Sequence, residues 1–156
     1  MTLERMPLER AHIMMFARSI GDHDPVFQDL EEAHRQEFDD VPAPPTFLHA
    51  GAHFDPVHHL RPRPGVDWHG SGATAGRRAD GAPPRLHAEQ HYELRRPLVA
   101  GETLEVSTSA GRTWQKEGRA GTLSFAETVV EYRDAEGEVV AVGRSVTVLL
   151  PPGPSA

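Results

Sequence analysis

The chain has 156 residues, 38% of them hydrophobic, and a formal net charge of -7 from 16 Lys or Arg and 23 Asp or Glu residues. This length suits one domain with a core of its own. The sequence shows no basic stripe, so a nucleic-acid partner is not expected. The absence of cysteine excludes disulfides, thiolate metal ligands and a cysteine nucleophile. The N-terminus lacks the apolar segment of a signal peptide, and no stretch is apolar for long enough to cross a membrane. The sequence therefore predicts a soluble cytoplasmic protein.

Two helices are predicted near the N-terminus. Over residues 8–20 the apolar side chains recur at helical spacing, and Gly21 follows as a stop signal. These side chains are Ile13, Phe16, Ala17 and Ile20. Over residues 29–38, Asp29 offers an N-cap and acidic residues fill the first turn.

A third helix is predicted from Thr46 to about Leu60. Its apolar residues occupy almost every face, which is typical of a buried helix. Pro45 suits the first turn, and Pro56 should end or kink the helix. Residues 61–85 are rich in Gly and Pro without periodicity, and they are predicted to form a long loop.

Four antiparallel strands are predicted in the second half of the chain. They cover residues 86–98, 103–114, 122–134 and 138–150. The sequence from Asp134 to Gly137 is typical of a tight hairpin turn between the last two. Helices followed by strands, without a βαβ repeat, indicate an α+β domain over residues 1–150, with 151–156 as a tail.

Several ordered segments resemble the MaoC-like hydratase/dehydratase family. The run Gly-Asp-His-Asp-Pro-Val-Phe, residues 21–27, is similar to the family signature Gly-Asp-x-Asn-Pro-x-His, and an acidic helix follows it. Residues 43–47 resemble the start of the family's central hot helix, and 86–104 its first sheet strand. Residues 114–132 resemble a hairpin of the FAS1-like dehydratase subgroup. The resemblance covers nearly the whole chain and leaves out mainly 61–85.

This resemblance implies a fold and a chemistry. The fold is a single hot-dog domain, a hot helix wrapped by an antiparallel sheet, which pairs into a double hot-dog dimer. The substrates are acyl-CoA or acyl-carrier-protein thioesters, and the reaction is reversible addition of water across a 2-enoyl double bond, without a cofactor. An Asp and a His act as the acid/base pair, while a backbone N–H at the start of the hot helix polarises the thioester carbonyl.

Two positions depart from the family pattern. Asp22 matches the aspartate, but Phe27 stands at the histidine position and can neither accept nor donate a proton. Pro45 stands where a glycine would donate its N–H, and proline has none. Asp22 is then either a remnant of the catalytic acid or a residue that caps a turn with Asp24.

These departures favour a partner role. The leading hypothesis is a non-catalytic, substrate-pocket subunit of a heteromeric (R)-specific enoyl-CoA hydratase or 3-hydroxyacyl-thioester dehydratase. A MaoC-like catalytic subunit would complete it as a heterodimer or heterotetramer. One alternative is a self-sufficient homodimeric hydratase that uses Asp22 with His49 or another histidine. A further alternative is an acyl-thioester-binding protein without chemistry.

The predicted substrate pocket lies around the hot helix, where small residues leave room for an acyl chain. Its candidate residues are Asp24, Phe27, Thr46, Phe47, Ala50, Gly51 and Trp68. Trp68 lies in the polar loop, where an indole is expected to cover an apolar patch or a ligand. The arginines of that loop are either contacts for the phosphates of coenzyme A or solvated side chains. These are Arg61, Arg63, Arg77 and Arg78.

His49 and His53 are four residues apart, the spacing of a metal-binding pair on a helix. Asp55, His58 and His59 lie near them in the sequence. No strong third-ligand motif accompanies them, and the resemblance implies no metal. We therefore expect a histidine-rich helix end near solvent rather than a metal site.

Overall fold

The computed structural model describes residues 4–56, 58, 63–66, 85–118 and 121–149. In this part of the chain, five antiparallel strands form one sheet in the order β1-β3-β4-β5-β2. The strands are β1 Arg5–Pro7, β2 Arg85–Leu94, β3 Thr103–Gly118, β4 Gly121–Arg133 and β5 Val139–Leu149. The helices are α1 Arg10–Ser19, α2 Leu30–Arg35 and α3 Gly51–Phe54, with 3-10 helices at Pro25–Phe27 and Phe47–Ala50.

Helix α1 confirms the first predicted helix. Ile13 and Ala17 of the predicted apolar face are buried, whereas Ile20 is 52% exposed because it caps the C-terminal end. Gly21 ends the helix with a φ of 78°, a left-handed conformation that glycine adopts without steric cost.

Helix α2 begins as predicted and ends earlier. The Asp29 carboxylate accepts hydrogen bonds from the N–H groups of Glu31 and Glu32, as an N-cap does. The helix ends at Arg35, because Glu37 adopts a φ of 66° and the chain turns back there. The prediction of a helix up to residue 38 was therefore too long.

The hot helix is shorter than the predicted Thr46–Leu60 segment. It starts as a 3-10 helix, in which the N–H of Phe47 bonds to the carbonyl of Pro44, and it continues as α3 only to Phe54. Asp55 is extended, with φ -86° and ψ 110°. The residue before a proline is disfavoured in the helical region, and Pro56 imposes this on Asp55. The predicted loop 61–85 lies outside the described residues except at 63–66 and 85, and so does the tail 151–156.

All four predicted strands are present, and a fifth was missed. Strand β1 pairs with the start of β3 and contributes the fully buried Met6 to the core. With three residues, one of them a proline, β1 is too short for an alternating pattern to show. The predicted hairpin turn is confirmed: the N–H of Asp134 bonds to the carbonyl of Glu138 at 3.0 Å, and Gly137 has a φ of 84°.

The curled sheet wraps the start of the hot helix, and the fold is a hot-dog. Strand alternation gives the sheet two faces. The face that packs on the helices, called the inner face, carries Leu104, Tyr132 and Ala141, which share one core with Ile13 and Phe47. The opposite side is called the outer face.

Candidate functional site

The entry of the hot helix is anchored by the core. The N–H of Ala43 bonds to the carbonyl of Leu98 at 2.8 Å, and this contact fixes the chain before the two prolines. Phe47 is 1% exposed and meets Phe16 edge to face, with ring centroids 5.4 Å apart. The first helical turn is therefore held by burial of an aromatic ring.

The exposed Pro45 has no N–H to offer at the position where the family donor is expected. The next N–H belongs to Thr46, which is also exposed. It donates no hydrogen bond among the residues that the structure describes. The first N–H groups of a helix lack intrahelical partners, so this group is available to water or a ligand.

His49 meets the sheet through a hydrogen bond. Its Nδ1 lies 3.2 Å from the hydroxyl oxygen of Tyr92, on the inner face of β2. Burial raises the pKa of Tyr92 to about 12, so the phenol is neutral at physiological pH. The Tyr92 hydroxyl donates to Nδ1 in one histidine tautomer, and Nδ1–H donates to the hydroxyl oxygen in the other.

A glycine on the neighbouring strand makes room for the tyrosine. Gly143 pairs with Tyr92. A Cβ at Gly143 would lie 3.4 Å from Tyr92 Cε1 and 3.7 Å from Tyr132 Cε2. Tyr132 is 5% exposed, and its pKa is raised by burial first and by the neighbouring Tyr92 second. The ring of Tyr92 therefore lies in a closely packed region that also contains the ring of Tyr132.

Asp22 and Asp24 build a turn. One Asp22 carboxylate oxygen accepts the N–H of Asp24 at 3.1 Å, and one Asp24 oxygen accepts the N–H of Val26 at 3.0 Å. These are the local side-chain to backbone bonds that aspartate forms in turns. Asp22 makes no hydrogen bond to His49. The geometry matches the capping alternative that the sequence left open.

Phe27 closes the 3-10 helix that follows this turn. Its side chain is partly buried and packs against the core that contains Phe47. A phenyl ring at this position adds apolar contact area, where an imidazole would have required a polar partner or solvent.

The family of FAS1-like dehydratase domain regions matches residues 1–142. The chain belongs to this family. The MaoC-like and FAS1-like dehydratase assignment made from the sequence is therefore confirmed, and the domain carries the hot-dog fold of hydratases and dehydratases.

Relatives of this FAS1-like dehydratase domain agree with the assignment. It is 34% identical over 137 residues to a UPF0336 protein of Parafrankia sp. (strain EAN1pec), covering 86% of this chain and 78% of that protein. A chain of the ChsH1–ChsH2 complex from Mycobacterium tuberculosis superposes with a TM-score of 0.69 at 20% identity, over 99% of this chain and 84% of its own. A MaoC-like dehydratase has the same TM-score at 19% identity over 94% of this chain, which spans only 39% of that longer protein.

The predicted pocket residues of this FAS1-like dehydratase domain divide into two groups. Phe47 and Gly51 are buried, and Ala50 packs against the core. Asp24 and Thr46 are exposed. The hot-helix residues therefore shape the interior beside His49. Trp68 lies outside the described residues, as do Arg61, Arg77, Arg78 and His59.

The histidines near the helix end form no metal centre in the part of the chain that the structure describes, where no group of three potential ligands occurs. His53 is exposed, whereas Asp55 is 8% exposed. Arg63 is exposed as well. Among the described segments, no helix has the length and apolarity that crossing a membrane requires.

Tyr92 is the residue of the site that sequence reasoning missed. It lies in the strand predicted over residues 86–98, but a strand prediction does not say which residues of the hot helix pack against either face. A polar-tipped aromatic ring facing a buried helix was the available signal, since a buried tyrosine hydroxyl usually finds a partner.

Proposed function

We propose that this chain is the non-catalytic, substrate-pocket subunit of a heteromeric (R)-specific enoyl-CoA hydratase or 3-hydroxyacyl-thioester dehydratase. The observation that carries the proposal is Phe27, which occupies the position of the family's catalytic histidine and packs against the core. A phenyl ring exchanges no proton, and one carboxylate oxygen of Asp22 accepts the N–H of Asp24 in a turn.

The loss of the donor N–H at Pro45 supports the same proposal. Removing one oxyanion donor costs roughly 10²–10³ in rate, and removing an acid/base group costs roughly 10²–10⁴. Together they would lower turnover by about 10⁴-fold or more. The chain would then contribute binding surface, while a MaoC-like partner with an intact Asp/His motif contributes the proton transfers.

An unpaired sheet edge supports association. Strand β2 stands at the end of the sheet and is hydrogen-bonded only to β5 among the described strands. Its ten residues offer a row of backbone groups that a second hot-dog domain can continue. The similarity to a chain of the ChsH1–ChsH2 complex, which is named for two subunits, fits such an arrangement.

The test is hydration of a short 2-enoyl-CoA by the purified chain, alone and co-expressed with a MaoC-like partner that carries the intact motif. We expect turnover only in the mixture. Full turnover by the isolated chain contradicts the proposal. Binding of the acyl-CoA in calorimetry without turnover in the mixture favours the acyl-thioester-binding alternative.

Two conservative variants separate catalytic from structural roles in the mixture. Asp22→Asn keeps an oxygen that can accept the N–H of Asp24, so the turn persists while the acid is lost. His49→Asn removes the imidazole from the exposed side of the pocket. The proposal expects kcat to be unchanged by the first variant and any effect of the second to appear in KM.

The second candidate is a self-sufficient homodimeric hydratase, and the His49–Tyr92 hydrogen bond is the observation that favours it. A histidine whose ring is oriented by a neutral phenol can act as a general acid or base. In that case the isolated chain is active, His49→Asn lowers kcat by at least about 10²-fold, and Tyr92→Phe lowers it less.

A further inference from the structure

Strand β2 forms the last strand of the sheet, and its backbone is directed outward at alternate residues. On the inner side of the sheet order, the N–H of Arg95 bonds to the carbonyl of Val140 in β5. Alternate residues of an antiparallel strand direct both backbone groups to the same neighbour. With the register of β2 on β5, the N–H and C=O groups of Gln90, Tyr92 and Leu94 are therefore directed to the edge that no described strand covers.

The side chains that lie between these residues alternate in charge. Four of them occur at every second position and share the outer face, on the opposite side of the strand from Tyr92. These residues, called the charged row, are Glu89, His91, Glu93 and Arg95. Within the chain, His91 Nε2 lies 3.3 Å from a Glu89 carboxylate oxygen, and the two side chains are 65% and 56% exposed. The charged row is therefore accessible to another molecule.

Charged side chains on an edge strand usually prevent it from pairing with another chain. A strand that pairs with a second copy of itself is an exception when its charges are self-complementary. In an antiparallel pairing about a two-fold axis, a residue before the central position faces the residue equally far behind it in the second copy. The choice of the central residue therefore decides which charges meet.

A central position at Tyr92 makes the whole charged row self-complementary. Glu89 then faces Arg95 of the second copy, and His91 faces its Glu93. By symmetry, each contact occurs twice. A centre at His91 would instead place Glu89 against Glu93, and a centre at Glu93 would place His91 against Arg95. Opposite charges directly across an antiparallel pair are stabilising, whereas like charges are destabilising.

The backbone favours the same centre. A centre at Gln90 would extend the pairing across the irregularity between His87 and Glu89. With Tyr92 at the centre, the pairing uses residues 90–94, which are regular in their own pairing with β5. The residues whose backbone groups are directed to the free edge then face each other, so the hydrogen bonds of the new ladder can form. The two Tyr92 rings become direct cross-strand neighbours on the inner face, an aromatic contact that also stabilises pairing.

His91 makes this pairing sensitive to pH, because an imidazole changes its charge between about pH 5 and 8. The charged residues that share the outer face with it in its own chain are Glu89 and Glu93 on β2, Arg144 on β5, and Glu127 and Glu131 on β4. From the second copy, Glu93 lies opposite, and Arg95 and His91 lie on the diagonals. Only the protonated ring forms an ion pair with the opposite carboxylate, so the pairing is tighter at the acidic end of this range.

We propose that β2 pairs antiparallel with β2 of a second copy of this chain, with the two-fold axis at Tyr92. Glu89 contacts Arg95 of the other copy. His91 contacts Glu93, and this contact strengthens the association as pH falls. The proposal concerns the chain alone and does not depend on the proposed function. A catalytic subunit that uses the same edge would have to displace the second copy.

Sedimentation equilibrium of the full chain at about pH 6 and about pH 8 measures the dissociation constant of the dimer. We expect a dimer that is roughly 2- to 30-fold tighter at the lower pH, the range for two cross-strand ion pairs. A chain that is monomeric at all concentrations overturns the proposal. So does a dissociation constant that is the same at both pH values.

Complementary charge variants test the contact between His91 and Glu93. Glu93→Lys places a cation opposite His91, and His91→Glu places a carboxylate opposite Glu93. Each variant alone should therefore dimerise at least about tenfold more weakly than wild type. In a mixture of the two, every such contact joins opposite charges, and the wild-type affinity should return. A mixture that associates no more tightly than the separate variants overturns the proposal, and so does wild-type dimerisation by Glu93→Lys.

Glu136→Lys is the matched control. It makes the same change in net charge as Glu93→Lys, in the exposed turn between β4 and β5, and should dimerise like wild type. Equal weakening by both variants would attribute the association to net charge and overturn the proposal. Association with a MaoC-like subunit without any self-association also overturns it, while leaving the proposed function intact. Loss of the proposed function would in turn leave these sedimentation results unchanged, because they involve no turnover.

Discussion

Strand β3 bulges between Ala110 and Thr113. Substitution of Gly111, which lies in this bulge, tests how the outer face of the sheet is packed. A Cβ at this position would lie 2.5 Å from the Glu127 carboxylate oxygen, 2.8 Å from its Cγ and 3.0 Å from its Cβ. Because atoms along the whole side chain are too close, a rotation of the carboxylate alone does not relieve the clash. Gly111→Ala must therefore displace Glu127 from its buried position.

The expected magnitude follows from two opposing effects. Overpacking of a well-packed site typically costs about 1–3 kcal/mol. Replacing glycine with alanine at a backbone conformation that alanine tolerates recovers about 0.4–1 kcal/mol from the unfolded state, and Gly111 has no positive φ. A net loss of about 1–2 kcal/mol corresponds to a fall in Tm of roughly 2–8 °C for a domain of this size.

Thermal unfolding of wild type, Gly111→Ala and Gly118→Ala measures the effect. Gly118 lies in the same strand, and the nearest atom to a Cβ there is 3.4 Å away. The Tm of Gly118→Ala should therefore equal that of wild type or rise slightly. In the Gly111→Ala background, Glu127→Ala should cost less than it does in wild type, because the clash is relieved. A Tm for Gly111→Ala equal to that of Gly118→Ala would refute this account of the bulge.

Three further changes have defined outcomes. Phe47→Ala should destabilise the fold by about 3–5 kcal/mol in urea unfolding, because it empties a buried ring site. Asp29→Ala should cost about 1 kcal/mol in the same assay, since two N–H groups of α2 lose their cap. The Arg10 hydrogen bond holds the Asp40 pKa below its usual range. Its stabilisation is present above the unfolded-state pKa of about 3.9 and is lost as pH falls through the lower folded-state pKa. Asp40→Asn should therefore flatten the acid limb of Tm against pH.

Much of the fold could be predicted because its signals are local. The periodicity before Gly21 and the turn residues at 134–137 act over a few neighbours, and both elements are where they were predicted. The length of the hot helix could not be read from apolar content, because Pro56 acts on the backbone of Asp55 whatever the hydrophobicity nearby. Strand β1 depends on pairing with residues about 100 positions away, which no local pattern encodes.

The candidate site was also predictable only in part, because only some of its contacts join residues that are neighbours in the sequence. The bond from Asp24 N–H to Asp22 joins neighbours in the sequence, and the turn could be foreseen. The bond between His49 and Tyr92 joins residues 43 positions apart and depends on how the hot helix lies on the sheet. The burial of Glu127 could not be predicted from the sequence, because a glutamate in a strand is normally exposed to solvent. Its side chain fits because Gly111 has no Cβ to occupy the same space.

Phe27 connects the energetics of this domain to its function. The family resemblance implies an imidazole at this position in an active member, where it must stay accessible to water and substrate and so contributes little apolar burial. Here the ring packs against the core, and full burial of a phenylalanine side chain contributes about 1.5–3 kcal/mol, of which a partly buried ring gains a fraction. The turn before it is kept by Asp22 and Asp24 through bonds that need no catalytic histidine. In the proposed function, the motif keeps its turn and no longer provides the proton-transfer group. A subunit that relies on its partner for proton transfer, as proposed here, can tolerate such a change, whereas a self-sufficient enzyme would need another group such as His49 in its place.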